Sequence, residues 1–163
     1  MNYDNIIYNA AIKSGFTKIS ALLVVAQARL ESADYTSNVF QKNNNLFGMK
    51  YVKQPLAEKG TKSPEGDYYA KYKNVTDSIN DLIKRNYNLL IGGVSPQELK
   101  NSTDSSDFAN KLKKRRYFGA TAQNYAAGLV SKLKKIDTTK LAVGSGIIII
   151  IIASILFIIM RKK

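Results

Sequence analysis

The stretch "AQARLES" (residues 26–32) places the carboxylate Glu31 near its end, and an Asn-rich turn, "NNLFGMK" (44–50), comes after it in the chain. A carboxyl at the end of an apolar helix is partly desolvated. Its neutral form is then favoured, its pKa rises, and it can protonate a glycosidic oxygen near neutral pH. The turn offers Asn45 for amide hydrogen bonds and Phe47 as an aromatic wall for a sugar ring. A plainer reading of the same residues stays open: a helix-end glutamate, turn asparagines and a core phenylalanine. A two-carboxylate mechanism needs a second acid. Glu65 lies in "SPEGD", where a turn accounts for a carboxylate without catalysis.

The composition removes other chemistries. The 163 residues include no His and no Cys. Disulfides, Ser-His-Asp triads and Cys-His nucleophiles are thereby excluded, and the usual zinc ligands are missing. Proton transfer falls to Glu, Asp, Tyr or Lys, with no metal and no cofactor expected. The formal charge is +13, of which residues 161–163 supply three positives. The remainder, 22 basic against 12 acidic residues, is near +10 and is drawn to polyanions: nucleic acid, acidic lipid or an anionic cell wall. The basic residues are spread along the chain and no nucleic-acid motif is present, which disfavours nucleic acid as a partner.

The elements that must position Glu31 read as helices around one irregular region. A first helix over 4–14 stops at Gly15. Thr17 caps a second, with Ile19, Leu22, Leu23, Ala26 and Leu30 on one stripe and Gln27 and Glu31 on a neighbouring face. Residues 34–66 are rich in Asn, Lys, Gly and Ser, and "DYYAKYK" (67–73) reads as a short strand. Thr76 is the expected cap of a third helix carrying Ile79, Leu82, Ile83, Tyr87 and Leu90. "SPQE" (95–98) combines a capping box with Pro at the first helical position. Phe108 and Leu112 mark another short helix, and Tyr125, Leu129, Leu133 and Ile136 stripe a last one.

"LAVGSGIIIIIIASILFIIM" (141–160) is uncharged throughout and is succeeded by "RKK". As a helix it would span roughly 30 Å, the thickness of a bilayer's hydrocarbon. The start, "MNYDNIIYNAAIKSG", lacks the cationic-then-apolar pattern of a signal peptide. The expected organisation is a domain over 1–136, a linker over 137–140, a transmembrane helix over 141–160 contacting the lipid bilayer, and a basic tail over 161–163. The flanking cations do not decide which side faces the cytoplasm.

The order "ALLVVAQARLES", "NNNLFGMK", "YAKYKNVTDSINDLI", "YFGATAQNYAAGLVSKL" resembles the glucosaminidase domain of peptidoglycan hydrolases, glycoside hydrolase family 73, over roughly residues 3–136. The resemblance implies a mainly α (α+β) lysozyme-like domain with a small β lobe and a glycan groove between them. It implies Glu31 as the general acid, and it aligns Tyr125 with the family's late helical tyrosine. Glu58, favoured by its spacing from Tyr72, or else Glu65 is the expected second carboxylate. Asn45, Phe47, Tyr69, Tyr72 and Tyr125 are the expected substrate-binding residues. Two features depart from the family: "SADYT" stands where a small residue and Trp-Gly are usual, and the chain has no Trp. The expected function is a membrane-anchored hydrolase of the β-1,4 glycan strands of peptidoglycan, an endo-β-N-acetylglucosaminidase with muramidase and lytic transglycosylase as alternatives, held in the internal membrane of a phage virion or in the bacterial host membrane. An inactive wall-binding relative and a basic structural membrane protein are the alternatives.

Overall fold

The computed structural model describes residues 1–141. Helix α1 (Tyr3–Lys13) is capped by Asn2, whose side chain accepts from Asn5 N. It ends at Ser14, and Gly15 comes next at φ +86°, a left-handed turn that glycine takes without penalty. Helix α2 (Lys18–Glu31) begins as expected at Thr17, whose hydroxyl accepts from Ser20 N at 3.2 Å. The expected apolar stripe is widened in the structure. Every residue from Ser20 to Ala28 is buried, because α2 packs against α1 on one side and the last long helix, α7 (Ala122–Leu133), on another. A central helix reads as apolar all round.

The irregular region 34–66 contains more order than its composition implies. A short helix α3 (Asn38–Asn43) is capped by Ser37. Strand β1 (Ala57–Lys62) pairs antiparallel with β2 (Tyr68–Tyr72), the strand that "DYYAKYK" foretold. Opposite pairs are Ala57 with Tyr72, Glu58 with Lys71 and Lys59 with Ala70. Asn43 ties α3 to β1: its Nδ2 donates to Thr61 Oγ1 at 2.8 Å, and Thr61 N donates to its Oδ1 at 3.1 Å. Gly60 permits this approach, since a Cβ there would stand 2.4 Å from Asn43 Oδ1. Segment 49–51 runs along β2, with Ala70 N donating to Met49 O and Tyr51 N to Tyr68 O. The "NNLFGMK" turn therefore becomes one wall of the β lobe.

Helix α4 (Val75–Leu82) is capped by Asn74, not by Thr76 as expected. Asn74 has the extended backbone of a cap and its Oδ1 accepts from Asp77 N at 2.9 Å, which leaves Thr76 inside the first turn. The helix then widens into a π turn over Ile83–Tyr87. Helix α5 (Pro96–Lys100) has the expected capping box, with Ser95 N donating to Glu98 Oε2 and Glu98 N donating to Ser95 Oγ. Helix α6 (Ser105–Lys114) packs on α7. Tyr8, Leu23, Ile79, Leu82, Phe108, Leu112 and Leu129 lie in one core shared by these helices.

The segment expected as a linker folds onto the domain. Thr138–Lys140 form a 3₁₀ turn, Asn2 Nδ2 donates to Lys140 O, and Leu141 is buried in the core. The rest of the expected transmembrane helix and the basic tail lie outside the described residues. Among the described residues no helix is long and apolar enough to cross a membrane.

Candidate active site

Glu31 is the last residue of α2, and the turn after it fixes where it points. Ala33, Asp34 and Tyr35 all take left-handed backbone, at φ +52°, +54° and +69°. None is glycine, and each such residue costs about 1–2 kcal/mol. The surroundings hold the run in place. Ser32 Oγ donates to Ala28 O and accepts from Tyr35 N. The Asp34 carboxylate accepts from Arg29, Lys132 and Lys135 at 3.3, 2.7 and 2.8 Å. Burial pushes that carboxyl up, but the hydrogen bonds from Lys132 and Lys135 outweigh it and bring the pKa down to about 2. Tyr35 OH donates to Asp4, which also takes a two-pronged contact from Arg29. The "SADYT" departure thus becomes a charged clasp joining α1, α2 and α7 directly beyond Glu31.

Glu31 opens into a cleft of about 400 Å³. Phe47, Met49, Lys50 and Val52 form the β-lobe wall, Arg85 and Asn86 of the π turn line another part, and Arg115 to Phe118, the segment leaving α6, line a third. Among the described residues Glu31 is the only carboxylate lining it. Burial raises the Glu31 pKa, opposed by the hydroxyl of Tyr125, which donates to Oε1 at 2.7 Å. Tyr125 is itself braced by Phe118, stacked 3.9 Å away at an interplanar angle of 10°. With Oε1 taken by Tyr125, the acid's proton belongs on Oε2. One helical turn back, Gln27 is fully buried and its Oε1 accepts from Tyr87 OH, so the π turn is pinned to the face of α2 that carries Glu31. Burial raises Tyr87 and Tyr125 well above the ordinary phenol range, and both stay neutral.

The expected site residues separate into distinct groups. Glu31, Phe47 and Tyr125 come together, the first two lining the cleft and the third holding Glu31. Asn45 is buried and its amide is fully engaged within the turn. Its Nδ2 donates to Met49 O and Ala70 O, and its Oδ1 accepts from Met49 N. It shapes the wall on which Phe47 and Met49 stand. Tyr72 is also buried, its hydroxyl donating to Asp81 at 2.8 Å. Tyr69 lies on β2 beneath the Lys50 ammonium, 4.6 Å from the ring centre. Glu58 is exposed on β1 opposite Lys71 and does not line the cleft. Glu65 is exposed as well, but it pairs at 2.7 Å with Lys50, a cleft residue. The hydrogen bond from Lys50 holds its pKa down at about 2, so at neutral pH it is ionised and is not the proton donor. Among the described residues no group of His, Cys, Asp and Glu is arranged to hold a metal.

Sequence reasoning missed Met49, Lys50, Val52, Arg85 and the run Arg115–Phe118. The last had a signal: "KKRRYFG" (113–119) joins cations and aromatics at the end of a helix. Arg85 had none, because its place in the cleft depends on the π turn.

A single carboxyl whose pKa burial raises, oriented by a phenol and facing an aromatic-walled cleft between helices and a small β lobe, has the chemistry of a glycoside hydrolase. The family model described as glucosaminidase, mannosyl-glycoprotein endo-beta-N-acetylglucosaminidase, matches residues 7–138, and the chain belongs to that family of glycosidases. No curated protein matches the chain. Solved structures show the fold. A peptidoglycan hydrolase from Sphingomonas sp. A1 aligns at TM-score 0.60 and 21% identity, over 89% of this chain and 97% of that one. A chain of a type VI secretion system effector-immunity complex from Pseudomonas protegens aligns at TM-score 0.60 and 18% identity, over 82% and 86%. The catalytic domain of the autolysin Auto from Listeria monocytogenes aligns at TM-score 0.55 and 24% identity, over 85% and 82%.

Proposed function

We propose that this glycosidase cleaves the β-1,4 glycan of peptidoglycan between N-acetylglucosamine and N-acetylmuramic acid, with Glu31 as proton donor. The observation that carries the reading is the Glu31–Tyr125 pair at the cleft. The family match supports it, and so does the likeness to the Sphingomonas peptidoglycan hydrolase. With the glycan in the cleft, Glu31 Oε2 delivers its proton to the leaving oxygen while positive charge develops at the anomeric carbon. Among the described residues no second carboxylate lines the cleft. The substrate's own acetamido group is then the nearest nucleophile, and Glu65, at the β-lobe edge through Lys50, is the better placed of the two remaining acids to stabilise charge. In the same proposal, the uncharged run 141–160 anchors the domain to a bilayer, in the internal membrane of a phage virion. Composition alone supports that part.

The test is clearing of purified peptidoglycan by the wild-type chain and by Glu31→Gln, Glu58→Gln and Glu65→Gln. Glu31→Gln lowers the rate by at least about a hundredfold, the ordinary contribution of a general acid. A large loss in one of the other two identifies a second acid; small losses in both leave a single-acid mechanism. Activity of Glu31→Gln equal to wild type refutes the assignment, and a wild-type chain that binds the wall without clearing it is the inactive relative.

A further inference from the structure

The cleft is unbalanced in charge. It is lined by Lys50, Arg85, Arg115 and Arg116 against Glu31 alone. Two of these cations are engaged within the fold. Arg115 is buried, with Nη1 donating to Val94 O at 2.8 Å and Nη2 to Asn86 O, which fastens the segment after α6 to the π turn. Lys50 is paired with Glu65. Arg85 and Arg116 have no ion-pair partner among the described residues, and Arg85 Nη1 is a buried atom with no hydrogen-bond partner.

The backbone at both positions is unusual. Arg85 sits in the π turn, where the extra residue per turn displaces side chains from their α-helical places. Arg116 takes φ +56°, a conformation that glycine adopts freely and a long side chain does not. That conformation closes α6, with Arg116 N donating to Lys113 O and Tyr117 N to Leu112 O, while the exposed Arg116 side chain makes no hydrogen bond or ion pair among the described residues. Two cations that line one cleft without an ion-pair partner among the described residues are placed to meet an anionic ligand. A guanidinium presents a planar fork that fits a carboxylate through two parallel hydrogen bonds.

We propose that Arg85 and Arg116 bind a carboxylate of the substrate, making the cleft selective for carboxylated β-1,4 glycans over neutral ones such as chitin. This rests on the reading of the cleft as a glycan site. The carboxylate comes from one of two sources: the lactyl ether of N-acetylmuramic acid, free in strands without stem peptides, or the stem peptide itself.

Calorimetric titration of the full-length chain carrying Glu31→Gln separates these, using three oligosaccharides of equal length: chitooligosaccharide, peptide-free muramyl glycan and stem-bearing muramyl glycan. A charge-assisted pair lost from each arginine corresponds to about tenfold in affinity. Arg85→Gln and Arg116→Gln each weaken binding of the carboxylated ligand by that factor and leave chitooligosaccharide within about twofold, inside the spread expected of a surface change. Preference for the peptide-free muramyl ligand alone assigns the lactyl carboxylate, which is amide-bound in the stem-bearing strand; preference for the stem-bearing one alone assigns the peptide, and preference for both shows that the pair accepts either carboxylate. Arg116→Gly is the second variant. It relieves the left-handed strain, so it melts at a higher temperature than wild type while losing the same selectivity. Equal affinity for neutral and carboxylated ligands, or equal weakening of all three by both substitutions, overturns the proposal. Since binding is read without cleavage, failure of peptidoglycan hydrolysis by the wild-type chain leaves this result standing, and the reverse holds too.

Discussion

Removing one hydroxyl from Tyr125 tests how the acid is tuned. Tyr125 OH donates to Glu31 Oε1 at 2.7 Å, which favours the ionised carboxylate, whereas burial favours the neutral acid and prevails. Tyr125→Phe keeps the ring and its 3.9 Å stack on Phe118 and deletes only the donor. A hydrogen bond to a charged group contributes about 1.5–3 kcal/mol, and Glu31 is only half-buried, so the lower end applies. At about 1.4 kcal/mol per unit this is an upward shift of roughly one pKa unit. The folded pKa of Glu31 is raised, so its stabilising contribution is complete below the unfolded pKa and is lost as pH rises through the folded value. Tyr125→Phe moves the upper edge of that window to higher pH. Carbon-13 NMR of the glutamate carboxyls reads it directly, because the chain has only four glutamates: Glu31, Glu58, Glu65 and Glu98. The basic limb of kcat/KM against pH shifts in step, since the reaction consumes the protonated acid. A Glu31 titration that stays put or moves down, in a variant that melts like wild type, refutes the assignment of Tyr125 as the partner of the charged form.

Two further outcomes are expected. The stability difference between wild type and Asp34→Asn is on the order of 1 kcal/mol after solvent screening. Because the Asp34 pKa is held down at about 2, that difference is constant above the unfolded pKa and vanishes as pH falls toward 2, which urea titrations across pH measure. A chain ending at Leu141 folds without detergent, whereas one ending at Thr139 loses the buried Leu141 side chain and about 1.5–3 kcal/mol, read from urea midpoints.

Much of the helical frame was legible because its signals are local. Thr17, the Ser95/Glu98 capping box and the stripe Tyr125, Leu129 and Leu133 each stand on residues that form the element, whereas Ile136 lies beyond the end of α7 at Leu133. The strand β2 was legible from alternation, but β1 was not, since "AEKGTK" has no apolar face and is held by its partner and by Asn43. Glu31 and Phe47 were legible as parts of one site because the first ends a readable helix and the second stands in the Asn-rich turn "NNLFGMK". Tyr72 and Asn45 were misread for a common reason. An aromatic or an amide beside a candidate groove has the same residue type whether it faces the ligand or supports the wall, and only the partners, Asp81 for one and backbone carbonyls for the other, decide.

The cations of the cleft show the deeper limit. Arg85 and Arg116 occupy positions that depart from local rules, one in a π turn and the other in left-handed backbone. The run Ala33–Tyr35 departs in the same way on the other side of Glu31. Locally consistent sequence builds the frame, and conflict between local preference and final structure collects where function requires a geometry the chain would not choose. The two strained places differ in what holds them. Asp34 and Tyr35 are fastened by Arg29, Lys132, Lys135 and Asp4, so their strain is offset within the fold and fixes the end of α2. The Arg116 side chain has no such fastening among the described residues. The backbone at Arg116 is held by the closing hydrogen bonds of α6, so what stays unmet there is the side-chain charge: charge paired inside the protein positions a residue, and charge left unpaired at an open cleft is met when a ligand arrives. That asymmetry separates the clasp behind Glu31 from the carboxylate site in front of it.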